Sequence, residues 1–512
     1  MLKVFRFEFA RRLVAFLLSV GVMFVLLAVV AAAARAQGIG LVATTFACGG
    51  TVETAVWKLW DAQGRAFLRN ELLASQLIKQ GDSYALYDIQ DYLHNLEAMA
   101  QRCGRTGRLI QLADDLIKAY GVLEPLNGHS TDMAWVCKGG AVCNDQNRLI
   151  NKEVMLVSVQ GLGLMSALAN ALVTSNDPQA RAHPFITKTA EVSVQHLLRW
   201  SDKKAMQDWQ RLISAKAEDV ENGSSALFFS DQILWQIAIY ANLAGIYSAH
   251  PALRKVINTE PNQQAQLKDS IRALLQLFKA RTSFENVKDP LLGSITTADL
   301  DRGFWRLHAD NRYAGYTANE KPAICDTKEG SPKAKLVIKA QSVPIVKDIG
   351  WNISHARRLV HALDALQKNR VAIQQVYDLR MSELPAPDIT KTFAAQLVSR
   401  VWNGDKDAPL FANYWSGANG WYRVAYDNGT GRCDTGNPPF GLSDSFATGG
   451  YAVWSNVYPV IGELARTIYG MTKAKDSASL SYTEKYFSGM APRASADTRM
   501  LNQLMFWPSL VQ

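Results

Sequence analysis

The sequence predicts an all-α fold in which helical hairpins close into a double ring. Three observations carry this. Apolar residues recur at three- and four-residue steps through most of the chain beyond residue 50. Successive helical stretches are joined by very short connections: Gly104 ends one and Thr106 opens the next, so the two run antiparallel. Finally, the stretches at 151–172 and 227–247 are apolar on nearly every side, whereas others are amphipathic. A soluble helix that is apolar all round is buried all round. Buried helices alternating with half-wet ones suit an inner and an outer ring. No repeat of fixed period is present, which argues against a regular solenoid.

The chain begins with a basic segment carrying Lys3, Arg6, Arg11 and Arg12, followed by uncharged residues 13–34 and then Ala34-Arg35-Ala36. The positive charges hold the start on the cytoplasmic side. The uncharged stretch is long for a signal peptide and long enough for a bilayer, which takes roughly 20 helical residues. Residues 1–36 are therefore expected as a cleaved signal peptide or a retained anchor. The remainder, 37–512, is expected as a single large helical domain, periplasmic or secreted. Membrane contact is expected through residues 13–34 alone.

Helices are expected at about 52–76, 83–102, 106–120, 148–174, 184–200, 203–220, 226–249, 262–280, 352–379, 388–402, 444–469 and 496–506. In 83–102, Leu86, Ile89, Leu93, Leu96 and Ala100 form one stripe. Three long segments, 122–147, 281–350 and 404–443, interrupt the helices. They hold too many aromatics to be disordered, and loops of this length in a compact domain are usually functional. Residues 335–340 alternate enough for one short strand. The loops are expected to cap one face of the ring.

Six cysteines in an exported chain permit a disulfide framework. Of the fifteen pairings that six cysteines allow, only Cys137–Cys143 follows from spacing, as a small closed loop. No Cys-x-x-Cys or zinc-finger spacing is present, so no metal is expected. The net charge of +9 is inflated by the leader, where Lys3, Arg6, Arg11, Arg12 and Arg35 stand against Glu8, and the remainder carries only a mild excess. No Lys/Arg stripe is interleaved with aromatics, which excludes a nucleic-acid partner. Phosphate-loop, His-Glu-x-x-His and Gly-x-Ser-x-Gly signatures are absent, and Gly161-Leu-Gly163 lies within a helix. No cofactor is expected.

The hairpin running from Tyr84-Ala-Leu-Tyr-Asp-Ile-Gln-Asp-Tyr-Leu-His94 through Gly104 to Tyr120, with the similar pairs that follow, resembles the (α/α) toroid architecture of carbohydrate-active enzymes: glycoside hydrolases, polysaccharide lyases and uronyl epimerases. The resemblance covers roughly 50–490 and is architectural, so it transfers no catalytic residue. It implies a polysaccharide ligand, neutral or anionic.

The residues themselves offer four clusters. Asp299 to Tyr316 holds carboxylates (Asp299, Asp301, Asp310), His308, guanidinium groups (Arg302, Arg306, Arg312) and aromatics (Trp305, Tyr313). A sugar site needs aromatic faces, an acid and a base, and arginines for uronate carboxylates. The competing reading is a loop tied down by its own ion pairs. In the second cluster, Asn352 or Ser354 caps a helix that starts beside Trp351 and carries His355, placed to act as a base. Arg357, His361 and Asp364 share a face that reads as solvated. In the third, Tyr87, Asp91 and His94 lie opposite the apolar stripe and read as an interhelix hydrogen-bond network. The fourth spans Asp427 to Asp444, including Asp434, with Trp415, Trp421 and Tyr422 upstream. The catalytic set expected is thus Asp301, His308, Asp310, Tyr313, His355 and Asp427, with Arg302, Trp305, Arg312, Trp351 and Trp421 binding substrate. Two functions remain open: a polysaccharide-modifying hydrolase or lyase of the cell envelope, and a non-enzymatic scaffold of a secretion, polymer-export or conjugation machine. An enzyme predicts that Asp301, His308, His355 and Asp427 converge on one concave, aromatic-lined pocket.

Overall fold

The computed structural model describes residues 43–126, 129–221, 225–257, 260–326, 332–426 and 433–512. The expected leader and Asp427 lie outside the described residues. Of the described residues, 60% are helical and 9% are in strands or bridges. Mostly-α is therefore correct, and strictly all-α is not, because each pair of strands forms a separate two-stranded antiparallel hairpin.

The helices used below are α1 (Thr51–Leu59), α2 (Ala85–Arg102), α3 (Thr106–Leu116), α4 (Met155–Val173), α5 (Pro184–Trp200), α6 (Lys203–Ser214), α7 (Asp231–Ala249), α8 (Pro261–Arg281), α9 (Ile353–Ala356), α10 (Arg358–Lys368), α11 (Arg370–Tyr377), α12 (Ile389–Gln396), α13 (Asp444–Thr448), α14 (Pro459–Lys473), α15 (Ser477–Tyr486) and α16 (Ala496–Leu510). The strands are β1 (Glu124–Leu126), β2 (His129–Ala134), β3 (Thr282–Asp289), β4 (Gly293–Leu300), β5 (Ala323–Asp326) and β6 (Lys333–Leu336). All six fall within the segments read as loops. The strand expected at 335–340 begins earlier and pairs back on β5.

The four helices α2, α4, α7 and α10 pack in succession, and α16 packs on α2. α4 and α7 are buried nearly throughout, as their all-round apolar character requires. α4 is long and apolar enough to cross a bilayer, yet 89% of its most apolar window is covered by the protein itself. The two glycines inside α4 explain themselves here. A Cβ on Gly163 would come within 2.6 Å of the Trp235 ring of α7, and one on Gly161 within 3.0 Å of Leu86 on α2. They let α4 approach a neighbour on each side.

Where α4, α7, α10 and α11 meet, the core is crossed by buried amides. Asn170 donates to Asn369 at 3.1 Å, and Asn242 donates to Ser166 at 3.2 Å. His94 of α2 stacks on His361 of α10, with centroids 3.6 Å apart. Outside this layer, α5 packs against α4, and α8 packs against α6.

Residues Phe46–Gln512 form one unit. Its two ends are paired: Gln512 N donates to Phe46 O at 2.8 Å, and Cys48 N donates to Gln512 O at 3.0 Å. Disulfides join Cys48 to Cys103, Cys137 to Cys143 and Cys325 to Cys433. The expected Cys137–Cys143 pair is among them.

Candidate functional site

Partly exposed polar side chains gather at the end where α2, α7, α9 and α13 begin, and the space they border is called the cleft. α2 brings Tyr84, Tyr87, Asp88 and Asp91, and α7 brings Asp231 as its first residue. Aspartates are favoured in a first helical turn, where unpaired backbone N–H groups carry positive charge. The Asn352 side chain accepts from His355 N at 3.0 Å and caps α9, which sets His355 and then Arg357 and Arg358 at the rim. Asp444 opens α13. Two irregular segments complete the cleft: Trp305, His308 and Asp310 from one, and Tyr422, Arg423 and Tyr426 from the other. Most of these side chains are partly exposed although the protein surrounds them on several sides.

Charges and hydroxyls are interlocked across elements. Arg357 Nη2 donates to Asp91 Oδ2 at 2.5 Å. Arg358 Nη2 donates to Tyr87 Oη at 3.1 Å and lies 3.4 Å from Asp231 Oδ2. The Tyr87 hydroxyl thus sits beside two guanidinium groups, since Arg357 Nη2 is 3.5 Å away. Arg423 Nε donates to Asp310 Oδ2 at 3.0 Å, and its guanidinium lies 4.3 Å from the Tyr426 ring centroid. His308 Nδ1 accepts from Asp310 N at 3.2 Å, which leaves the proton of the neutral ring on Nε2. The Trp305 ring stacks on Phe228 with centroids 4.6 Å apart, and lies 5.1 Å from His308 and 5.7 Å from His355.

The cleft holds groups in unusual protonation states. Burial pushes the Asp88 carboxyl up to about 7, with the Asp91 and Asp82 charges adding to it. Burial also pushes Asp444 up to about 6, against the pull of Arg357. His355 is driven well below the usual imidazole range, by burial first and then by Arg358, Arg423 and Arg357. His308 is lowered by burial and by Arg423, against the opposing charge of Asp310. Raised carboxyls can donate protons near neutrality, and a neutral imidazole can accept one.

Of the expected residues, Trp305, His308, Asp310 and His355 come together here. Trp351 is buried behind His355, their rings 6.1 Å apart, and donates from Nε1 to Phe229 O at 3.0 Å. The others go elsewhere. Asp301 lies beneath the cleft with no exposure, paired with Arg281 and accepting from Phe229 N at 2.9 Å and Trp305 Nε1 at 2.7 Å. It positions Trp305 and cannot touch a ligand. Arg302 faces outward to Asp348 at 2.6 Å, and Arg312 is exposed and donates to Val424 O at 3.3 Å. Tyr313 and Trp421 are buried in a small separate core with Ala323, Val343 and Val424, each donating to a backbone carbonyl, of Ile338 and Ala318 respectively.

Arg358, Asp231, Arg423 and Asp88 went unread in the sequence, and Arg357, expected on a solvated face, is instead tied to Asp91. The signal was present for Arg357 and Arg358: two polar residues at the start of a helix whose other faces are apolar. Tyr87 and Asp91 do form the expected interhelix network, with Arg357 and Arg358 as its other half. His361 is taken up by His94, while Asp364 pairs with Lys368 at 2.7 Å in a helix-surface bridge.

Among the described residues, one group of His, Cys, Asp or Glu is close enough to hold a metal: Cys48, Glu53 and Cys103. It is already committed, because the cysteines are bonded to each other and Arg105 holds Glu53 at 2.6 Å. No family model, curated protein or solved structure matches the chain.

Proposed function

We propose that this is an exported protein whose helical hairpins close into an (α/α) toroid and whose cleft binds and cleaves a polysaccharide. One observation carries the reading. Carboxylates, imidazoles, guanidinium groups and aromatic faces from segments far apart in sequence meet in one partly open cleft, with Asp88 and Asp444 held protonatable and His355 held neutral. In this reading Trp305, Tyr84 and Tyr426 offer ring faces to sugars, and Arg357, Arg358 and Arg423 engage hydroxyl or carboxylate oxygens. Asp444 or Asp88 supplies a proton to the leaving oxygen, and His355 with Tyr87 handles the proton at the attacked carbon or water. Ring closure is supported by the packing order α16, α2, α4, α7, α10, and by Tyr451–Asn456, which touches both α10 and α16. Export is supported by the three disulfides.

The scaffold reading is favoured by one fact: Arg357, Arg358 and Arg423 are each already paired with an aspartate of the protein. The test is a product screen of the purified full chain against neutral and acidic polysaccharides, beside Asp444→Asn and Arg357→Gln. New reducing ends that both variants lose support the reading. The chromophore of an unsaturated uronate separates elimination from hydrolysis. Failure to bind or cleave any polymer transfers the function to the scaffold class.

A further inference from the structure

Of the nine large hydrophobic side chains left exposed among the described residues, four fall in one short segment: Ile324, Leu336, Val337 and Ile345. The same segment carries Lys321, Lys333, Lys335, Lys339 and Lys347, all exposed. Residues 332–347 contain no acidic residue, and 321–347 contain no aromatic and no arginine. None of these five ammonium groups has a carboxylate within ion-pair distance among the described residues, whereas elsewhere Lys138, Lys204, Lys268, Lys368 and Lys406 do.

The β5–β6 hairpin organises these side chains. Its register places Ile324 opposite Lys335 and Asp326 opposite Lys333. Directly paired residues share a face, and alternate residues along a strand share one too. Lys333, Lys335, Val337 and Ile324 therefore line the outer face together with one carboxylate, Asp326, while Leu336 pairs with Ala323 on the other face. The inner face starts from Ala323, which is fully buried on Tyr313, Trp421 and Val343. Cys325–Cys433 fastens the hairpin to the segment that follows the cleft residues Tyr422–Tyr426. The outer face is thus presented on a firm base.

The residue types decide between ligand classes. Saccharide and nucleic-acid surfaces stack on aromatics and use arginine forks, and neither is present. Lysines interleaved with aliphatic side chains match the headgroup–acyl boundary of an anionic bilayer, where the ammonium groups meet phosphates and the aliphatics enter the boundary.

We infer that the β5–β6 outer face docks on an anionic bilayer surface. This contact lies apart from the one expected of residues 13–34, and it is independent of the saccharide reading. It would hold the folded body in a fixed orientation on the lipid.

The test uses the full chain in nanodiscs, either purely zwitterionic phosphatidylcholine or roughly a third phosphatidylglycerol, since anionic lipid sets the surface potential. The readout is hydrogen exchange of residues 332–340. Each lysine near an anionic surface contributes about a fivefold bias. Exchange should slow at least about fivefold in the anionic discs. That difference should vanish in Lys333→Glu/Lys335→Glu and at high salt, and persist in Lys58→Glu/Lys475→Glu. Equal exchange in both discs overturns the proposal. So does slowing without lipid that grows with protein concentration, which would mean pairing of hairpin edges between two copies. Slowing by soluble polygalacturonate in place of lipid overturns it in favour of an acidic saccharide.

Discussion

Removing the Asp301 carboxylate should unfold the protein more readily than any change at the cleft surface. Asp301 and Arg281 are 0% and 1% exposed at their side chains. Arg281 also donates to Leu227 O at 2.8 Å and Leu212 O at 3.1 Å, so it is locked in place and cannot follow its charge to water. Asp301→Ala leaves that guanidinium uncompensated, and breaking a buried pair from one side costs about 3–5 kcal/mol. It also strands Phe229 N and Trp305 Nε1, each a buried donor worth about 1–3 kcal/mol when unpaired. Asp301 has φ of 60°, a region in which alanine is strained and asparagine is tolerated. Overlap among these effects sets the expectation at about 4 kcal/mol or more, with the pair itself as the largest part. Urea unfolding of the full chain, with the slope unchanged, measures it. The double variant Arg281→Met/Asp301→Asn has no stranded charge, and should recover about 2 kcal/mol of that loss. A cost below about 1 kcal/mol for Asp301→Ala would refute the reasoning. A double variant costing as much as the two singles summed would do the same.

Other predictions concern packing, pH, cross-links and the cleft. Gly163→Val should cost about 1–3 kcal/mol, because its Cβ meets the Trp235 ring at 2.6 Å, and calorimetry should show a matching fall in Tm. His361 is pushed down to about 3 by burial, then by Lys368 and Arg357. Its contribution to stability is complete above about 6.5 and drains as pH falls from there toward 3, at up to about 1.4 kcal/mol per pH unit. Unfolding free energy measured between those limits should fall less steeply in His361→Gln, and an unchanged slope would count against the neutral ring. Cys325→Ser/Cys433→Ser opens a connection of 108 residues. The variant should be up to about 4 kcal/mol less stable in denaturant, with faster exchange in β5–β6. Trp305→Ala should weaken saccharide binding in titration calorimetry and also lower Tm, since it removes the Phe228 stack and the Nε1 bond to Asp301. Trp305→Phe, which keeps a ring face, should retain more of the binding.

Helices with one clear stripe were legible because burial acts on the same period that defines them, as in α2, α5 and α8. The long helix expected at 352–379 is instead three pieces. Arg357 and Asn369 sit at the breaks, and Asn369 is drawn inward to the α4 and α7 amides. That demand comes from tertiary contacts and leaves no trace in local spacing. The break in 444–469 was readable: Gly450 has φ of 78° and Pro459 opens α14. In β3–β4 the strands were missed because their polar and apolar residues do not alternate cleanly: the burial is heavy only toward Leu300.

The site was half legible for a related reason. Residue types concentrated in Asp299–Tyr316 identified the right neighbourhood. Linear proximity does not say which way a loop turns each side chain. Trp305, His308 and Asp310 turn to the cleft, Asp301 turns under it, Arg302 and Arg312 turn to solvent, and Tyr313 turns to a second core. The partners Arg357, Arg358, Asp231 and Arg423 arrive from segments tens to hundreds of positions away, where each looked like an ordinary charged residue.

The pairing of Phe46 with Gln512 has an engineering consequence. Residues 46 and 512 of the folded unit lie side by side, secured there by Cys48–Cys103. Such a unit can be spliced into an exposed loop of a host protein without stretching either partner. It could likewise be reopened at a new site with residues 46 and 512 joined by a short linker.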